Sequence, residues 1–524
     1  MMIRNAVWVA LLALGSTGLQ AQRPSAKAAS SDTDLTNGFH SIIDAYSLIE
    51  KNFANPVSSE HVLYQGAIPG MLLTLDPHSN FLDPDEWREA QRRQSAQYFG
   101  VGMELTVDFD QVVVGQPFPN SPAAAAGLQR GDVIVAVDKN DARSLDLSAV
   151  ANLLRGPRGT PVTVTVRREG FPQPISYTVT RAAIQTSLVD AFWLRPGIAY
   201  LSIVSFESQS VGPDVEAALK KLGESEVNGL VLDLRGNPGG LVTEAVTVAG
   251  RYLKSGQTVV SHHGRAEAEQ TFRAKPQPSA QKYPIVVLVD RHSASAAEIV
   301  AGALQDHDRA WIIGETTFGK GLVQGQYQLS EGAALVLTIA HYYTPSGRLI
   351  QRDYQHRSFF EYYYAGRNDG PNLADVKATD SGRKVYGGGG ITPDEKYDPV
   401  AHSIFERRLA ASGVFFHFGS QYFSGRKPQL PQGWTPDDKL IERFHAYLKD
   451  EQFPLTDREF SDSRQFVSDQ IRFELYRRAL GKQEAERAGV QADPEVIHAV
   501  ESLPKAEALL REVQRVLASR TTPR

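Results

Sequence analysis

Ile285-Val286-Val287-Leu288-Val289-Asp290-Arg291-His292-Ser293-Ala294-Ser295-Ala296-Ala297-Glu298-Ile299 decides how the chain is read. Five apolar, mostly β-branched residues make a short buried strand that ends at Asp290. A polar turn follows. Ile299, Val300, Ala303 and Leu304 then recur at helical spacing. Strand, turn, helix is the unit of an α/β domain. A serine at such a turn sits beside the free N–H groups of a helix N-terminus, which are natural donors to an oxyanion. Taken alone, Ser293 or Ser295 reads as well as a simple N-cap.

Two neighbouring segments bear on that choice. Leu232-Asp233-Leu234-Arg235-Gly236-Asn237-Pro238-Gly239-Gly240-Leu241 places glycines directly after a second buried strand. Backbone N–H groups there can face an anion closely, or the glycines can simply make a tight turn. Gly314-Glu315-Thr316-Thr317-Phe318-Gly319-Lys320-Gly321 nearly spells a phosphate-binding loop. Gly321 replaces the metal-binding hydroxyl, however, and Leu322 to Tyr327 is not the helix that such a loop requires. A lysine between two glycines can instead be buried, which disfavours its ammonium form. Its pKa must fall from ~10.4 to about 7–8 before it serves as a general base. A serine paired with such a lysine is an activated nucleophile without histidine.

Other chemistries fit less well. His292 and the pair His262-His263 lack an orienting carboxylate and are expected at the surface. No H-E-x-x-H and no metal-ligand spacing occurs, so no metal and no other cofactor is expected. The chain has no cysteine, which excludes disulfides and thiolate catalysis. Its net charge of -5 gives no electrostatic reason to expect nucleic acid.

Outward from the centre, 524 residues suggest about three or four domains. Arg4, the apolar run Ala6 to Leu14 and Leu19-Gln20-Ala21 read as a secretory leader over residues 1–21, which places the protein in the periplasm or cell envelope. That run is shorter than the ~20 residues a span needs, so no permanent membrane span is expected. An uncleaved anchor is the other reading. Residues 22–34 are small and polar. Residues 22–97 form an N-terminal region, helical from Leu35, with Phe39, Ile42, Ile43, Tyr46 and Ile49 as an apolar face. Residues 98–182 are β-rich, with one helix over Leu147 to Leu154. Residues 183–395 alternate strands and helices, and 396–524 form a helical extension with charged faces.

Together these segments resemble one family, the carboxyl-terminal processing or tail-specific proteases. The resemblance spans about residues 35–395. It rests on Leu-Asp-Leu-Arg-Gly-Asn-Pro-Gly-Gly (232–240), Ser-Ala-Ser-Ala-Ala-Glu-Ile (293–299) and Thr-Phe-Gly-Lys-Gly-Leu-Val-Gln (317–324), in that order. Leu75-Asp76-Pro77-His78-Ser79, Tyr342 to Gly347 and Gly390 to Asp394 add weaker support. The resemblance implies a Clp/crotonase-like superhelical α/β core with an embedded PDZ domain. It makes Ser295 the nucleophile, Lys320 its base and Gln324 the residue that orients the lysine. The N–H groups of Ala296 and Gly239 would hold the oxyanion. The family's second Ser-Ala repeat reads Ala296-Ala297 here, a departure away from the nucleophile. Asp306 aligns with a position sometimes discussed as functional. It lies about 16 Å along the helix from Ser295, so a structural role is expected.

Residues 98–182 resemble the family's PDZ domain through Ser121 to Leu128, Arg130-Gly131-Asp132, and Leu153 to Gly156. Phe99-Gly100-Val101-Gly102 would be the loop that captures the C-terminal carboxylate of a protein or peptide substrate, which adds as a strand. Arg155 is the candidate link between PDZ domain and protease. The extension is left open as a surface for homo-oligomerisation or for an adaptor. A non-catalytic peptide-binding scaffold and a nucleotide-binding protein are the rival readings.

Overall fold

The structure is a computed structural model that describes residues 32–94, 97–108, 111–168, 170–185, 188–276, 282–354, 362, 373–398, 400–424, 428–431 and 433–521. The leader expected over residues 1–21 lies outside them. The chain divides into two compact units, 1–94 with 188–396 and 502–524, and 95–187 with 397–501.

A six-stranded sheet forms the centre of the first unit. Its order is Val189–Arg195, Ile198–Ile203, Gly229–Asp233, Ile285–Val289, Trp311–Gly314 and Glu395–Lys396. Only the first pair is antiparallel. Gly229–Asp233 and Ile285–Val289 are buried along their whole length, as expected of strands covered on both faces. The helices Val211–Leu222, Val242–Tyr252 and Ala296–Asp306 make the crossovers, and their apolar faces share one core with the strands. Asp233 pairs in register with Leu288, and Val289 with Gly314. The loops leaving these three strands therefore emerge side by side at the carboxyl edge, where α/β folds place their sites.

A second sheet contains Asn80–Leu82, Ala334–Tyr343, Thr258–His263 and Gln270–Arg273, with Leu322–Gln328 also paired to Ala334–Tyr343. Asn80–Leu82 shows that the N-terminal region is not purely helical. It donates a strand to the first unit, in register with Ala334 to Val336. The helix Asp32–Asn52 forms where the periodicity predicts it, yet Phe39, Ile42, Ile43 and Ile49 stay exposed.

In the second unit a sheet of Met103–Asp108, Gln111–Pro117, Val133–Val137, Pro161–Arg167 and Ile175–Thr180 wraps a core with the helix Leu147–Leu154. That helix has the bounds expected from the sequence. The helices from Ile404 to Glu501 build their own core around Phe405, Phe418, Phe444 and Leu475. They dock on the β-rich module through buried charge. Glu474 takes two bonds from Arg130 and one from Arg478, and both guanidinium groups pack on the Phe416 ring, 4.8 and 4.7 Å from its centroid. The region after 396, expected as one extension, thus divides. Its last helix, Leu503–Thr521, belongs to the first unit, where Leu503 fills the space above Gly229.

Candidate active site

Ser295 stands at the end of the turn after Ile285–Val289, immediately before the helix Ala296–Asp306. Its φ is +55°, a conformation that costs a non-glycine residue about 1–3 kcal/mol and recurs at functional positions. The residue is fully buried, and among the described residues its Oγ has no hydrogen-bond partner. A buried hydroxyl without a partner is costly for a structural serine. Ser293, by contrast, is spent on structure. Its Oγ bonds Leu234 O at 2.8 Å and accepts from Asp290 N at 2.9 Å.

Glu298 ties this turn to the lysine loop. Its Oε2 accepts from Ser295 N (2.7 Å) and Lys320 N (2.9 Å). Its Oε1 accepts from Gly319 N (2.6 Å) and Thr317 Oγ1 (2.5 Å). Thr317 Oγ1 accepts from Ile391 N at 2.7 Å, so its own proton is free to go to Glu298. Burial raises the Glu298 carboxyl above its usual range, and the four donated bonds pull it back. Four donors converging on two oxygens match the ionised form. The sequence offered a signal for this residue, the Ser-x-x-Glu spacing of a capping box, but no role was assigned to it.

Lys320 is buried, and burial lowers its pKa from 10.5 to about 8, opposed by Asp76 and Glu298. Its Nζ donates to Gln324 Oε1 at 3.1 Å. Gln324 Nε2 donates to the carbonyl of His78 at 2.6 Å. The turn that presents this carbonyl is folded around Asp76, whose Oδ1 accepts from His78 N and Ser79 N, both at 2.7 Å.

Gly239 touches Ser295. A Cβ there would lie 2.7 Å from both Ala294 O and Ser295 Cβ, and 2.9 Å from Ala296 N. The N–H expected to hold an oxyanion donates to Asn237 Oδ1 at 2.8 Å. Asn237 also donates to Ile203 O and accepts Ala294 N on its backbone, so it fixes the glycine turn against the serine turn. Ala296 is the first residue of the helix, one of its four orphan donors. The structure thus brings Ser295, Ala296, Gly239, Lys320 and Gln324 into one site.

The remaining expectations fall elsewhere. Asp306, on the far end of the helix, is buried in an ion pair with Arg348 at 2.7 Å. His292 is exposed, as expected, but His262 is not: it is buried in the strand Thr258–His263, with Nε2 at 3.2 Å from Gln270 Oε1. Strand alternation turns it inward while His263 stacks on Tyr343 outside. Phe99, Gly100, Val101 and Gly102 lie in the second unit. Gly102 has φ +79°, and a Cβ there would meet Ser121 Cβ at 2.5 Å. Arg155 is exposed at the end of the helix Leu147–Leu154 and bonds Asn152 Oδ1 at 3.3 Å. Among the described residues no group of three metal-ligating side chains converges, and no helix is long and apolar enough to cross a membrane.

The arrangement has known counterparts. A model of peptidase family S41 matches residues 197–355, a PDZ-domain model residues 113–168, and a model of the activating protease CtpB N-terminal domain residues 6–86. The carboxy-terminal-processing protease of Bartonella bacilliformis is 39% identical over 300 residues, 56% of this chain and 68% of that protein. The carboxyl-terminal-processing protease of Synechocystis sp. is 37% identical over 312 residues, 58% and 72% of the two chains. The carboxy-terminal processing protease CtpB of Bacillus subtilis is 31% identical over 329 residues, 62% and 68%.

Proposed function

The chain belongs to peptidase family S41, the carboxyl-terminal processing serine proteases, and from that premise we propose that it is a cell-envelope endopeptidase working through Ser295 and Lys320 on substrates held by their C-terminal tails. The observation that carries this reading is Glu298 Oε2. One buried oxygen accepts the N–H of Ser295 and the N–H of Lys320, at 2.7 and 2.9 Å. It ties the backbone of a serine whose hydroxyl has no partner among the described residues to the backbone of a lysine of depressed pKa.

In the proposed mechanism neutral Lys320 takes the Ser295 proton while Oγ adds to the scissile carbonyl. The oxyanion is held by Ala296 N–H. Gly239 N–H joins it when it exchanges Asn237 Oδ1 for the substrate. The tetrahedral adduct collapses, and Lys320 returns its proton to the departing amine. Lys320 then takes a proton from the water that adds to the ester, and as the second adduct collapses it returns that proton to Ser295 Oγ, which frees the acid product. Gln324 keeps the lysine aimed throughout. The loop Phe99 to Gly102 receives the tail carboxylate, and Arg155 passes its occupancy to the protease. The apolar N-terminus, residues 6–14, supports export.

The test uses the purified protein on an unfolded protein with an apolar C-terminus, read by intact mass. Wild type should cleave it, and Ser295→Ala and Lys320→Ala should not. Amidating the substrate's C-terminus should raise KM. Cleavage by Lys320→Ala at the wild-type rate refutes the Ser–Lys mechanism. An unchanged KM on the amidated substrate refutes tail capture.

A further inference from the structure

His78 is buried beside the lysine, and the mechanism above uses only its carbonyl. Its ring lies edge-on to Phe318, two residues before Lys320, and to Tyr362. Nε2 is 2.8 Å from Tyr362 Oη. The neighbours of that bond bear on its direction. Gly321 N–H can only donate, so the Gln351 oxygen faces it at 2.8 Å. The Gln351 amide nitrogen then donates to Arg352 O (2.8 Å) and Tyr362 Oη (3.2 Å). Tyr362 Oη accepts from Gln351 and has its own proton to give to His78 Nε2, an arrangement that matches an imidazole protonated on Nδ1.

These bonds close a ring. Lys320 Nζ reaches Gln324, Gln324 reaches the His78 carbonyl, the His78 side chain reaches Tyr362, Tyr362 reaches Gln351, and Gln351 holds Gly321, the residue after Lys320. Resting on the Ser–Lys reading, we propose that His78, held as the neutral Nδ1-protonated tautomer by the Tyr362 hydroxyl, is a positioning residue for the lysine base. The Arg352 guanidinium packs on both aromatic rings, 4.1 Å from the Phe318 centroid and 3.9 Å from that of Tyr362. That packing adds rigidity to the same side of the site. The charges facing Lys320 are Asp76 and Glu298, which favour its ammonium form. Burial, then Lys320, then Arg352 hold His78 well below the usual histidine range, so the ring adds no competing charge at neutral pH.

The ring's function is to keep Lys320 dry and aimed. Opening it admits water, and the lysine pKa rises toward its free value. A rise of about one pH unit leaves about tenfold less neutral base at pH 7. Tyr362→Phe removes a single hydroxyl and keeps the aromatic packing. It should lower kcat about tenfold at pH 7, move the ascending limb of the kcat–pH profile up by about one pH unit, and leave KM within about twofold. His78→Ala should move the limb in the same direction. Nitrogen-15 spectra of the histidine-labelled protein, with His78 assigned by its loss in His78→Ala, should show an unprotonated Nε2 at pH 7.

A protonated Nε2, or an imidazolium at pH 7, overturns the proposal. So does an unmoved limb in both variants while Ser295→Ala and Lys320→Ala are inactive, an outcome that leaves the Ser–Lys reading standing. A variant that only loses melting temperature or active fraction, with its limb in place, marks a merely structural role and also overturns it. Wild-type activity in Lys320→Ala removes both.

Discussion

Lys320→Met should give an inactive protein that is more stable than wild type at pH 7. In the unfolded chain the lysine titrates near 10.5, and in the folded protein near 8. Above pH 10.5 both states are neutral and burial carries no electrostatic cost. As pH falls from 10.5 to 8, the unfolded chain takes up a proton that the folded protein refuses, and stability is lost. Below pH 8 both states are charged and the loss is constant. A pKa displaced from 10.5 to about 8 corresponds to about 3 kcal/mol. Methionine has a similar length and no charge, but it leaves Gln324 Oε1 without its donor, a loss of about 1 kcal/mol. The net gain is about 2 kcal/mol at pH 7, and it should vanish by pH 10.5. Scanning calorimetry on the two proteins between pH 6.5 and 10.5 measures it, with a shift of about 4 °C expected at the low end. The same titration governs rate. The neutral fraction of Lys320 is about one-tenth at pH 7 and about nine-tenths at pH 9, so kcat should climb through pH 8 with unit slope. A Lys320→Met protein no more stable than wild type at pH 7, or a gain that persists at pH 10.5, refutes the claim that burial depresses this lysine.

Three further outcomes follow from buried contacts. Glu298→Gln puts an NH2 group against at least one of the Ser295, Gly319 and Lys320 amides. Each unsatisfied donor costs about 1–3 kcal/mol, and kcat should fall at least about 10²-fold as the two loops separate; stopped-flow acylation reads it, and a near-wild-type rate would show that the carboxylate is not needed. Gly240→Ala places a Cβ 2.1 Å from the Phe206 carbonyl carbon at φ +144°, so it should lose about 3 kcal/mol or more; an unchanged melting temperature contradicts the close approach of these backbones. Glu474→Ala strips Arg130 and Arg478 of their buried partner. The second unit should lose about 3–5 kcal/mol while the first keeps its melting temperature, and hydrogen exchange resolves the two.

The loops of the candidate site were legible because each carries local chemistry. Strand, polar turn and helix fix where Ser295 stands, and two glycines around Lys320 announce a buried backbone. The choice between Ser293 and Ser295 was not legible from spacing, since both can cap. A long-range bond from Ser293 Oγ to Leu234 O, which no local pattern encodes, gives Ser293 a structural role and supports Ser295 as the proposed nucleophile. His262 was misjudged for a related reason. Its dipeptide looks polar, but a strand sends neighbours to opposite faces, and only the pairing with Ala334–Tyr343 says which face is the core. The divided C-terminal region was hidden as well. Charged residues such as Arg130, Glu474 and Arg478 look solvated in sequence and are half of a buried interface in the fold.

Glu298 explains why two of the short segments must occur together. The serine turn presents an N–H, the lysine loop presents two N–H groups and a hydroxyl, and neither arrangement closes without the carboxylate between them. A buried charge is tolerated only when its donors are complete. Any change that withdraws one loop therefore leaves an under-solvated anion, and the other loop is pulled out of place with it. This couples the strained φ of Ser295 to the burial of Lys320: the bonds that hold the one residue in an unfavourable conformation are the bonds that keep the other away from water. The backbone conformation of the serine and the burial of the lysine are then two consequences of one buried acceptor, and the site is assembled as a unit.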